Sequence, residues 1–584
     1  TGPPRLPFSP PPAPAHFSHR WLAIERAGPS PSPPLSLPPP LPLSRLLTME
    51  RAGPTTPCRV NAVFVRGTRH TLPSVVEQEL RHLRRASTLG QIHAHCAVAA
   101  AALQSLGVFE SATFVVDSSS SQGAGEGLEG SMPLADVTVQ IVEKKRLASA
   151  STGVHTTGGE GSMDADVSVR NIFGFAERLG AHMEAGQHKS NTFSLHAIKP
   201  RPWGTDAQLK AELVKTVLSH QRLSSFTEKS QSMVLSAVIG TSTLPGGSHE
   251  FAYELAHRRI TQIPVGTSSW AVLQQRGMSL KSSLKHTYVR SNLNDPIVPT
   301  SGCLFKVATE VAGIGAIGDA AFHKHTAEAR AQLPLTALGL PRFSIGVSAS
   351  LGLILPLVSG RSAPTVPSAP LTDGTRAGSG IWNYGSIARS PSCQSNGLDT
   401  PVPGASPHSF PSRAYRPPQP LLPPDGITIL DRYFLGGPHS LWGFRTHGVG
   451  PREQRHTASE VVSAKTPSDA LGGELLVQAT VDVSAQLPGE IFERAGARVH
   501  LFGSTGALHA LSAINAVAGN GSDATMSSVA RAIGGGLRAV VGAGLVVPTP
   551  LGRFELNLMH VLQRQPGDSV VRSGIQIGVC GPAG

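Results

Sequence analysis

Apolar residues alternate with polar or small residues along most of the chain, from about residue 147 to residue 579. The clearest segment is 474–487, in which every second residue is apolar and most of the residues between them are polar. Segments 343–355 and 537–547 repeat the pattern. A period of two predicts β-strands whose two faces meet different surroundings. These segments are also long enough to cross a bilayer when tilted.

The composition of the strand faces favours a membrane barrel over a soluble β-sandwich, which is the alternative reading of such alternation. The polar faces hold Gly and Ser where a soluble surface would carry Lys and Glu. So many long strands would also make an open sheet too wide. A closed barrel pairs every backbone hydrogen-bonding group inside a bilayer. We therefore predict an all-β transmembrane fold, with an antiparallel barrel over residues 146–579.

A different pattern precedes the barrel, over residues 58–143. A short apolar strand at 60–65 is followed by a helix that opens near Pro73 and by a second helix after Thr88. The spacing of Thr88 and Gln91 predicts a capping box at the second helix. Strands follow at 112–116 and 135–142. This small α/β unit resembles a POTRA domain, the module that guides peptides to certain outer-membrane barrels.

The composition of the chain argues against several other functions and structural classes. The chain has 584 residues with 62 Gly and 49 Pro, and only 15% of them are charged. Its net charge is +12, but the Lys and Arg residues are scattered, so we do not expect nucleic-acid binding. The five cysteines lie far apart without a C-x-x-C pair, which argues against a disulfide framework and a zinc site. No apolar stretch is long enough for a transmembrane helix.

Two segments are predicted to be disordered. Residues 1–57 are rich in Pro, Ser and Leu, and their prolines argue against the amphipathic helix of a transit peptide. Met49 stands shortly before the first predicted strand, so residues 1–48 are interpreted either as upstream sequence or as a disordered start. Residues 359–425 are rich in Pro and Ser and too irregular for strands, which predicts a disordered insertion or retained intron sequence.

No residues form a candidate catalytic, metal or cofactor site. The segment 313–318 matches G-x-G-x-x-G, but no helix is predicted after it, so it is interpreted as a strand end and turn. His323 and His325 lack a third ligand. The chain holds no G-x-S-x-G elbow. We expect no enzyme activity and no cofactor.

A motif before the last five predicted strands identifies a family. The segments 431–437, 441–444 and 448–451 read DRYFLGG, LWGF and GVGP, and they closely resemble the sixth-loop signature of the BamA-type insertase superfamily. Segments 171–177, 279–284 and 302–306 resemble its mitochondrial branch, the central barrel of the sorting and assembly machinery. The residues assigned to the loop-six motif are Asp431, Arg432, Phe434, Gly436, Gly437, Leu441, Trp442, Gly443, Phe444 and Arg445.

The resemblance implies a barrel of about sixteen strands in the mitochondrial outer membrane, with one POTRA domain in the intermembrane space. It also implies that loop six folds back into the lumen. The expected function is the assembly and insertion of β-barrel precursor proteins into the lipid bilayer, together with accessory subunits of a sorting and assembly complex. A passive transport or translocation pore is the alternative, and a soluble oxidoreductase or sandwich ranks below both.

One residue departs from the family pattern. Trp442 stands where the family normally carries an arginine before the Gly-aromatic pair. A lumenal ion pair anchored by that arginine is therefore in doubt. Either Arg445 takes its place, or packing of Trp442 and Phe444 holds the loop.

The last predicted strand, 572–579, should pair with the first, 147–156, and close the barrel. Its order of polar, Gly and hydrophobic residues resembles the β-signal of mitochondrial barrels, with Ile575 and Ile577 facing outward and Gln576 facing the lumen. Gly153, Gly574 and Gly578 should weaken this pairing and allow a lateral gate. The residues assigned to the gate are Leu147, Ser149, Ser151, Gly153, Arg572, Gly574, Ile577 and Val579.

Overall fold

A computed structural model describes twelve segments of the chain. These are residues 22–25, 53–119, 133–145, 147–157, 160–241, 246–264, 266–357, 427–438, 440–456, 467–518, 526–549 and 552–580. The predicted insertion at 359–425 and the Gly/Ser loop after residue 119 lie outside these segments.

The N-terminal domain is a four-stranded sheet covered by two helices, in the order β1-β2-β4-β3. Apolar side chains of the helices and of the inward strand faces form one buried core, which includes Val63, Leu80 and Val137. Its elements are β1 (Leu22–Glu25), β2 (Arg59–Arg66), α1 (Pro73–Leu80), a 3₁₀ turn (Arg81–Arg85), α2 (Leu89–Ser105), β3 (Phe109–Ser118) and β4 (Leu134–Glu143).

Two details of this domain differ from the sequence prediction. The hydroxyl of Thr88 accepts a hydrogen bond from the Gln91 amide at 3.3 Å, as a capping box requires, but the Gln91 side chain accepts from the Ser87 amide instead of the Thr88 amide. Within the segment predicted to be disordered, residues 22–25 form β1, which pairs in parallel with β2. An edge strand offers unpaired backbone groups, and β1 satisfies those of β2.

Sixteen strands follow in one antiparallel sheet, as predicted. They are β5 (Ala148–Thr157), β6 (Glu160–Arg170), β7 (Arg178–Gly186), β8 (Asn191–Pro200), β9 (Ala207–Ser219), β10 (Thr227–Ile239), β11 (Ser248–Thr261), β12 (Gly277–Ser291), β13 (Gly302–Ala312), β14 (Phe322–Pro334), β15 (Phe343–Pro356), β18 (Leu475–Gln486), β19 (Arg498–His509), β20 (Arg538–Thr549), β21 (Gly552–Gln563) and β22 (Ile575–Cys580). Two short strands, β16 (Arg452–Gln454) and β17 (Ser468–Ala470), pair with each other between β15 and β18.

The outer face of the sheet is apolar and exposed. Val347 lies opposite Val481 on the neighbouring strand, and Leu501 on the next strand lies opposite Val483, two residues further along. Leu501 is 65% exposed. Such a band would be unstable in water and is stable against lipid, so the sheet is a membrane barrel. We call the end at which β5 begins the domain end. The opposite end, which carries the long connection from β15 to β18, is the loop end.

The barrel has one seam that is not paired as predicted. The edge strands β5 and β22 come within 8 Å of each other between Cα atoms, yet no hydrogen-bonded ladder joins them among the residues that the structure describes. The last strand is also shorter than predicted, because Arg572, Ser573 and Gly574 form a turn before it. Gly574 has φ = +67°, a conformation that strand geometry does not allow.

The remaining helices lie in the connections. The sequence pattern suggested almost no helix after residue 147, so the pair between β19 and β20 is a correction. Segment 313–318 is a turn, as predicted. No helix in the described segments has the length and apolar character needed to span a membrane. The helices are α3 (Gln221–Ser224), α4 (Trp270–Gln274), α5 (Glu490–Ala495), α6 (Leu511–Ala518) and α7 (Met526–Gly535), with 3₁₀ turns at Pro202–Gly204, Ile314–Ala316 and Leu335–Leu338.

Two turns at the domain end attach the N-terminal domain to the barrel. In the turn 171–177, the buried Asn171 amide donates to the Thr71 hydroxyl at 2.9 Å, and Ala176 enters the domain core. In the turn after β8, Arg201 forms a salt bridge with the buried Glu79 at 3.1 Å. These contacts hold the N-terminal domain at the domain end of strands β6 to β9, which follow β5 in the sheet.

Candidate functional site: loop six and the seam

Loop six begins with a buried carboxylate that binds the inner wall of the barrel. Asp431 accepts two hydrogen bonds from Arg258 on β11, at 2.7 and 3.1 Å, and a third from Thr428 at 2.7 Å. Lys324 on β14 donates to the Asp431 carbonyl at 2.8 Å. Lys281 on β12 lies 4.0 Å from the same carboxylate. Three strands therefore hold the base of the loop.

The charges at this base compensate one another. Burial would raise the pKa of the Asp431 carboxyl, but the charges of Arg258 and Lys281 and the hydrogen bonds from Arg258 and Thr428 hold that pKa below its ordinary value. Lys281 also pairs with Glu310 at 2.6 Å. A buried pair of this kind is stable only while both partners are present.

The next residues fasten the loop to the wall and to itself. The Tyr433 hydroxyl donates to the His325 carbonyl and contacts the Thr326 hydroxyl, both at 2.7 Å. Arg432 forms a salt bridge with Glu474 at 2.9 Å. Phe434 stacks on His447, with ring centroids 4.2 Å apart.

The tip of loop six packs inside the lumen against three strands. Leu441, Trp442 and Phe444 are buried in one apolar cluster, and Phe444 has no exposed surface. Two further members come from the loop, Leu435 and Val449, and the wall contributes Phe502, Leu508, Val540 and Met559. The loop is therefore folded into the barrel, as the resemblance implied.

Glycines at three positions of the motif are required by the backbone. Gly436, Gly437 and Gly443 have φ of +109°, +107° and +84°. A Cβ at Gly443 would stand 3.0 Å from Val561 and 3.2 Å from Val540. Any other residue would strain the turn and push the tip off the wall.

Hydrogen bonds connect this tip to the last strand. The Gln576 side chain on β22 accepts from the Gly443 amide at 2.9 Å and donates to the Phe444 carbonyl at 3.0 Å. In the turn before β22, the Val571 amide donates to the Gly443 carbonyl at 2.9 Å, and the Ser569 carbonyl accepts from the Arg445 amide at 2.8 Å. Loop six thus pairs with the chain directly before the closing strand.

Trp442 stands where the family normally carries an arginine, and the structure shows that packing of Trp442 and Phe444, and not Arg445, holds the loop tip. Trp442 is 7% exposed and lies in the tip cluster beside Phe444. The Arg445 side chain is exposed and faces a cavity at the loop end. Asp431, eleven residues before Trp442, forms a buried ion pair with Arg258 on the wall.

The structure brings the predicted gate residues to the two edges of the seam, with differences. Ile575 and Ile577 face outward as predicted, and Ile577 is 57% exposed. Gln576 faces the lumen as predicted. The prediction that Arg572 and Gly574 lie in the closing strand is wrong, because both lie in a turn, in which Gly574 has a positive φ that a strand does not allow. The other assigned positions, Leu147, Ser149, Ser151, Gly153 and Val579, lie in or beside the two edge strands.

Several residues at the site were not predicted, namely Arg258, Lys281, Lys324, Tyr433 and Gln576 as contacts of the loop. The first three are charged residues on strand faces that point into the lumen. Charged residues on the inner side of an alternating strand were a usable signal, but the sequence could not show which of them meets the loop.

Comparison with known families decides the identity of this arrangement. The Omp85 superfamily domain matches residues 171–366 and 423–580, which is more than half of the chain. The chain belongs to the Omp85 superfamily. The match leaves out residues 367–422, inside the predicted insertion, and includes loop six and β22 but not β5, the other strand of the seam.

Two relatives match almost the whole of this Omp85 chain. A SAM50-like protein of Schizosaccharomyces pombe is 24% identical over 531 residues and covers 90% of each chain. The sorting and assembly machinery component 50 homolog of Homo sapiens is 26% identical over 532 residues and covers 89% of each. The fold is similar to that of BamA from Haemophilus ducreyi lacking POTRA domains 1–3, with a TM-score of 0.61 at 15% identity, over 89% of this chain and 84% of that one.

Proposed function

We propose that this Omp85 protein inserts β-barrel precursors into the mitochondrial outer membrane by opening the seam between β5 and β22. The similarity to SAM50 relatives and the BamA-like fold support this proposal: the chain is a mitochondrial outer-membrane barrel that acts in β-barrel assembly. The main support for a gate is that no ladder joins β5 and β22 among the described residues, while loop six is hydrogen-bonded to β22.

Backbone hydrogen bonding supplies the physical reason for a gate. An unpaired amide or carbonyl in hydrocarbon costs several kcal/mol, so a precursor strand cannot enter lipid alone. At the seam, β22 pairs with β21 at only six positions, Arg553 to Leu558 on the β21 side. No ladder joins its other edge to β5 in the part of the chain that the structure describes, so both edges can pair with an incoming strand by β-augmentation. No covalent step is required.

Loop six would couple the seam to the lumen. Its base is fixed on β11, β12 and β14, whereas its tip binds the turn and strand that form the gate. Undocking of the tip would release Gln576 and the chain before it, so that β22 could swing away from β5. The attached N-terminal domain lies in the intermembrane space and would deliver precursors to the same strands. Accessory subunits of a sorting and assembly complex complete the proposed machinery.

Site-specific cross-linking during import tests the gate. In a variant without the five native cysteines, Ser151→Cys and Ile577→Cys place single thiols on the two seam edges. We expect cross-links to the terminal strand of a radiolabelled precursor during its assembly. Val347→Cys on β15 is the matched control, since it faces outward on a strand that is paired on both sides.

The same experiment separates the insertase from a passive pore. If precursors assemble while neither seam cysteine ever reaches them, the gate proposal fails. Cross-links confined to lumenal positions would then favour the pore. The packing of the loop-six tip inside the lumen argues against an open channel.

A further inference from the structure

A large cavity lies at the loop end of the seam. Its volume is about 1540 Å³, and its walls include the end of β21, the turn before β22 and the tip of loop six. It is lined by Leu558 and His560 from the outer face of β21 and by Met559 and Val561 from the inner face. The cavity therefore passes around the edge of β21 beyond the end of the short β22. It joins the lumen to the lipid-facing side.

The cavity is strongly basic. Among the described residues that line it there is one carboxylate, Asp568, and that carboxylate is already paired with Arg538 at 3.0 Å. The lining arginines are Arg222, Arg445, Arg452, Arg455, Arg564 and Arg572.

The hydrogen bonds of these arginines leave positive charge in the cavity. Arg452 donates to the Ser468 hydroxyl at 2.8 Å and to the carbonyls of Ser468 and His447, all of them neutral oxygens. Arg222 contacts the ring nitrogen of His188 at 2.7 Å. Arg455 does have a carboxylate partner, Asp469, at 2.7 Å. Arg452 is half-buried, and such a guanidinium group hydrogen-bonded only to neutral oxygens retains a desolvation cost that a bound anion would offset, whereas Arg222 is exposed and contributes its charge to the cavity mouth.

We propose that this cavity binds the phosphate of an anionic phospholipid from the leaflet at the loop end. The planar guanidinium group matches the geometry of a phosphate, which favours this ligand chemistry. The outer wall beside the cavity indicates that the phosphate comes from a membrane lipid. Leu558, Leu562 and Ile575 form an exposed apolar surface there, and Arg564 and Arg572 lie at its loop end. Apolar residues flanked by arginine mark the headgroup level of a bilayer.

The position of the cavity favours a lipid over an acidic polypeptide. In the proposed function, precursors arrive at the domain end, where the N-terminal domain is attached, and this cavity opens at the other end. A headgroup bound here would contact both the loop-six tip and the turn before β22. The lipid composition of one leaflet would therefore affect the seam directly.

Native mass spectrometry of the purified full chain tests the proposal. Delipidated protein in detergent is titrated with phosphatidylglycerol or with phosphatidylcholine, and bound lipids are counted. We expect wild type to prefer phosphatidylglycerol. The double variant Arg222→Gln, Arg564→Gln should bind it about tenfold or more weakly, since two charge-assisted contacts are lost. Arg564→Lys, which keeps the charge, should lose less.

Arg494→Gln is the matched control, because the Arg494 side chain is 84% exposed at the domain end and forms its salt bridge with the exposed Glu490. Heat-modifiable migration on gels shows that each variant is a folded barrel. Equal phosphatidylglycerol binding by wild type and the folded double variant would overturn the proposal. It would also fail if pyrophosphate or a hexaglutamate peptide binds the cavity arginines more tightly than the lipid does. None of these outcomes depends on precursor assembly, so they leave the proposed gate to its own test.

Discussion

Loop six is held at its two ends by different chemistry. At its base, the Asp431 carboxylate is buried between Arg258 on β11 and Lys281 on β12, two strands that pair with each other at thirteen positions. At its tip, an apolar cluster and hydrogen bonds join the loop to β22, which has six residue pairs on one side and no ladder on the other within the described segments.

This difference divides the loop into an anchor and a moving part. Removing one partner of a buried ion pair leaves an uncompensated charge and costs several kcal/mol. A neutral hydrogen bond contributes about 1 kcal/mol net, so the contacts of the tip can break a few at a time. We therefore expect the base to stay docked while the tip and the closing strand separate together.

The largest expected effect comes from breaking the base. Arg258→Met leaves Asp431 buried without its main partner and should destabilise loop-six docking by about 3–5 kcal/mol. We expect the whole loop to become sensitive to added protease and precursor assembly to be lost. The folded barrel itself, followed by heat-modifiable migration, should persist because its ladders are unchanged.

Two further variants check this reasoning. Arg494→Met removes an exposed pair of similar composition and should have almost no effect. The double variant Arg258→Met, Asp431→Leu removes both charges and should recover much of the docking. Protease protection of Arg258→Met equal to wild type would show that the base is not an anchor.

Phe444→Ala has the next largest effect and breaks the tip alone. Phe444 is completely buried, so the cavity left by truncation should cost about 3 kcal/mol. Precursor assembly should slow while the protein stays integrated in the membrane and the base stays protected from protease. Phe492→Ala, at a half-exposed position in α5, is the control. Assembly at the wild-type rate would contradict a role for tip packing.

Features that depend on one strand alone could be predicted from the sequence, whereas contacts between distant segments could not. Alternation is a property of each strand by itself, so the long strands of a barrel and the outward position of Ile577 could be predicted, whereas the number of about sixteen strands comes from the family resemblance. The pairing of Arg258 with Asp431 joins residues 173 positions apart, and nothing in either segment identifies the other. Arg572 and Gly574 fit a strand pattern, yet they form a turn directly after residues 569–571, which are hydrogen-bonded to loop six. Neither this contact nor the start of β22 could be read from the local sequence.

Acid should loosen the connection between base and tip through His447. Burial, together with the charges of His220 and Arg452, lowers the pKa of His447 from 6.5 to about 4. The undocked loop therefore binds a proton more readily than the docked loop between these values. Docking should be fully stable above about pH 6.5 and should lose at most about 3 kcal/mol as the pH falls to about 4.

Hydrogen exchange of residues 441–450, corrected for intrinsic rates, measures this dependence. His447→Asn should remove the pH dependence of exchange, because the asparagine side chain does not titrate. Asp431 cannot produce the same signal, since its pKa lies below 3.8 and thus below this window. A pH profile that is the same in wild type and His447→Asn would exclude His447 as the cause.

The smallest expected effect concerns Gln576, which tests whether tip and seam move together. Gln576→Leu removes the bonds to the Gly443 amide and the Phe444 carbonyl, and should weaken the tip contact by about 1–2 kcal/mol. Gln576→Glu can still accept from the amide, but its carboxylate repels the carbonyl and should weaken the contact to a similar or larger extent. Gln563→Leu, at an exposed position at the end of β21, is the control.

Both Gln576 variants should raise hydrogen exchange in two places at once, in residues 441–446 of the tip and in β22, while residues 427–433 of the base keep their protection. This joint response distinguishes coupling from simple local damage, because Ile575 and Ile577 on the lipid side retain their surroundings in both variants. Faster exchange at the tip alone, with β22 as protected as in wild type, would mean that the ladder to β21 holds the closing strand without help from the loop. The loop would then be anchored throughout, and the division into a fixed base and a tip that moves with the gate would be wrong.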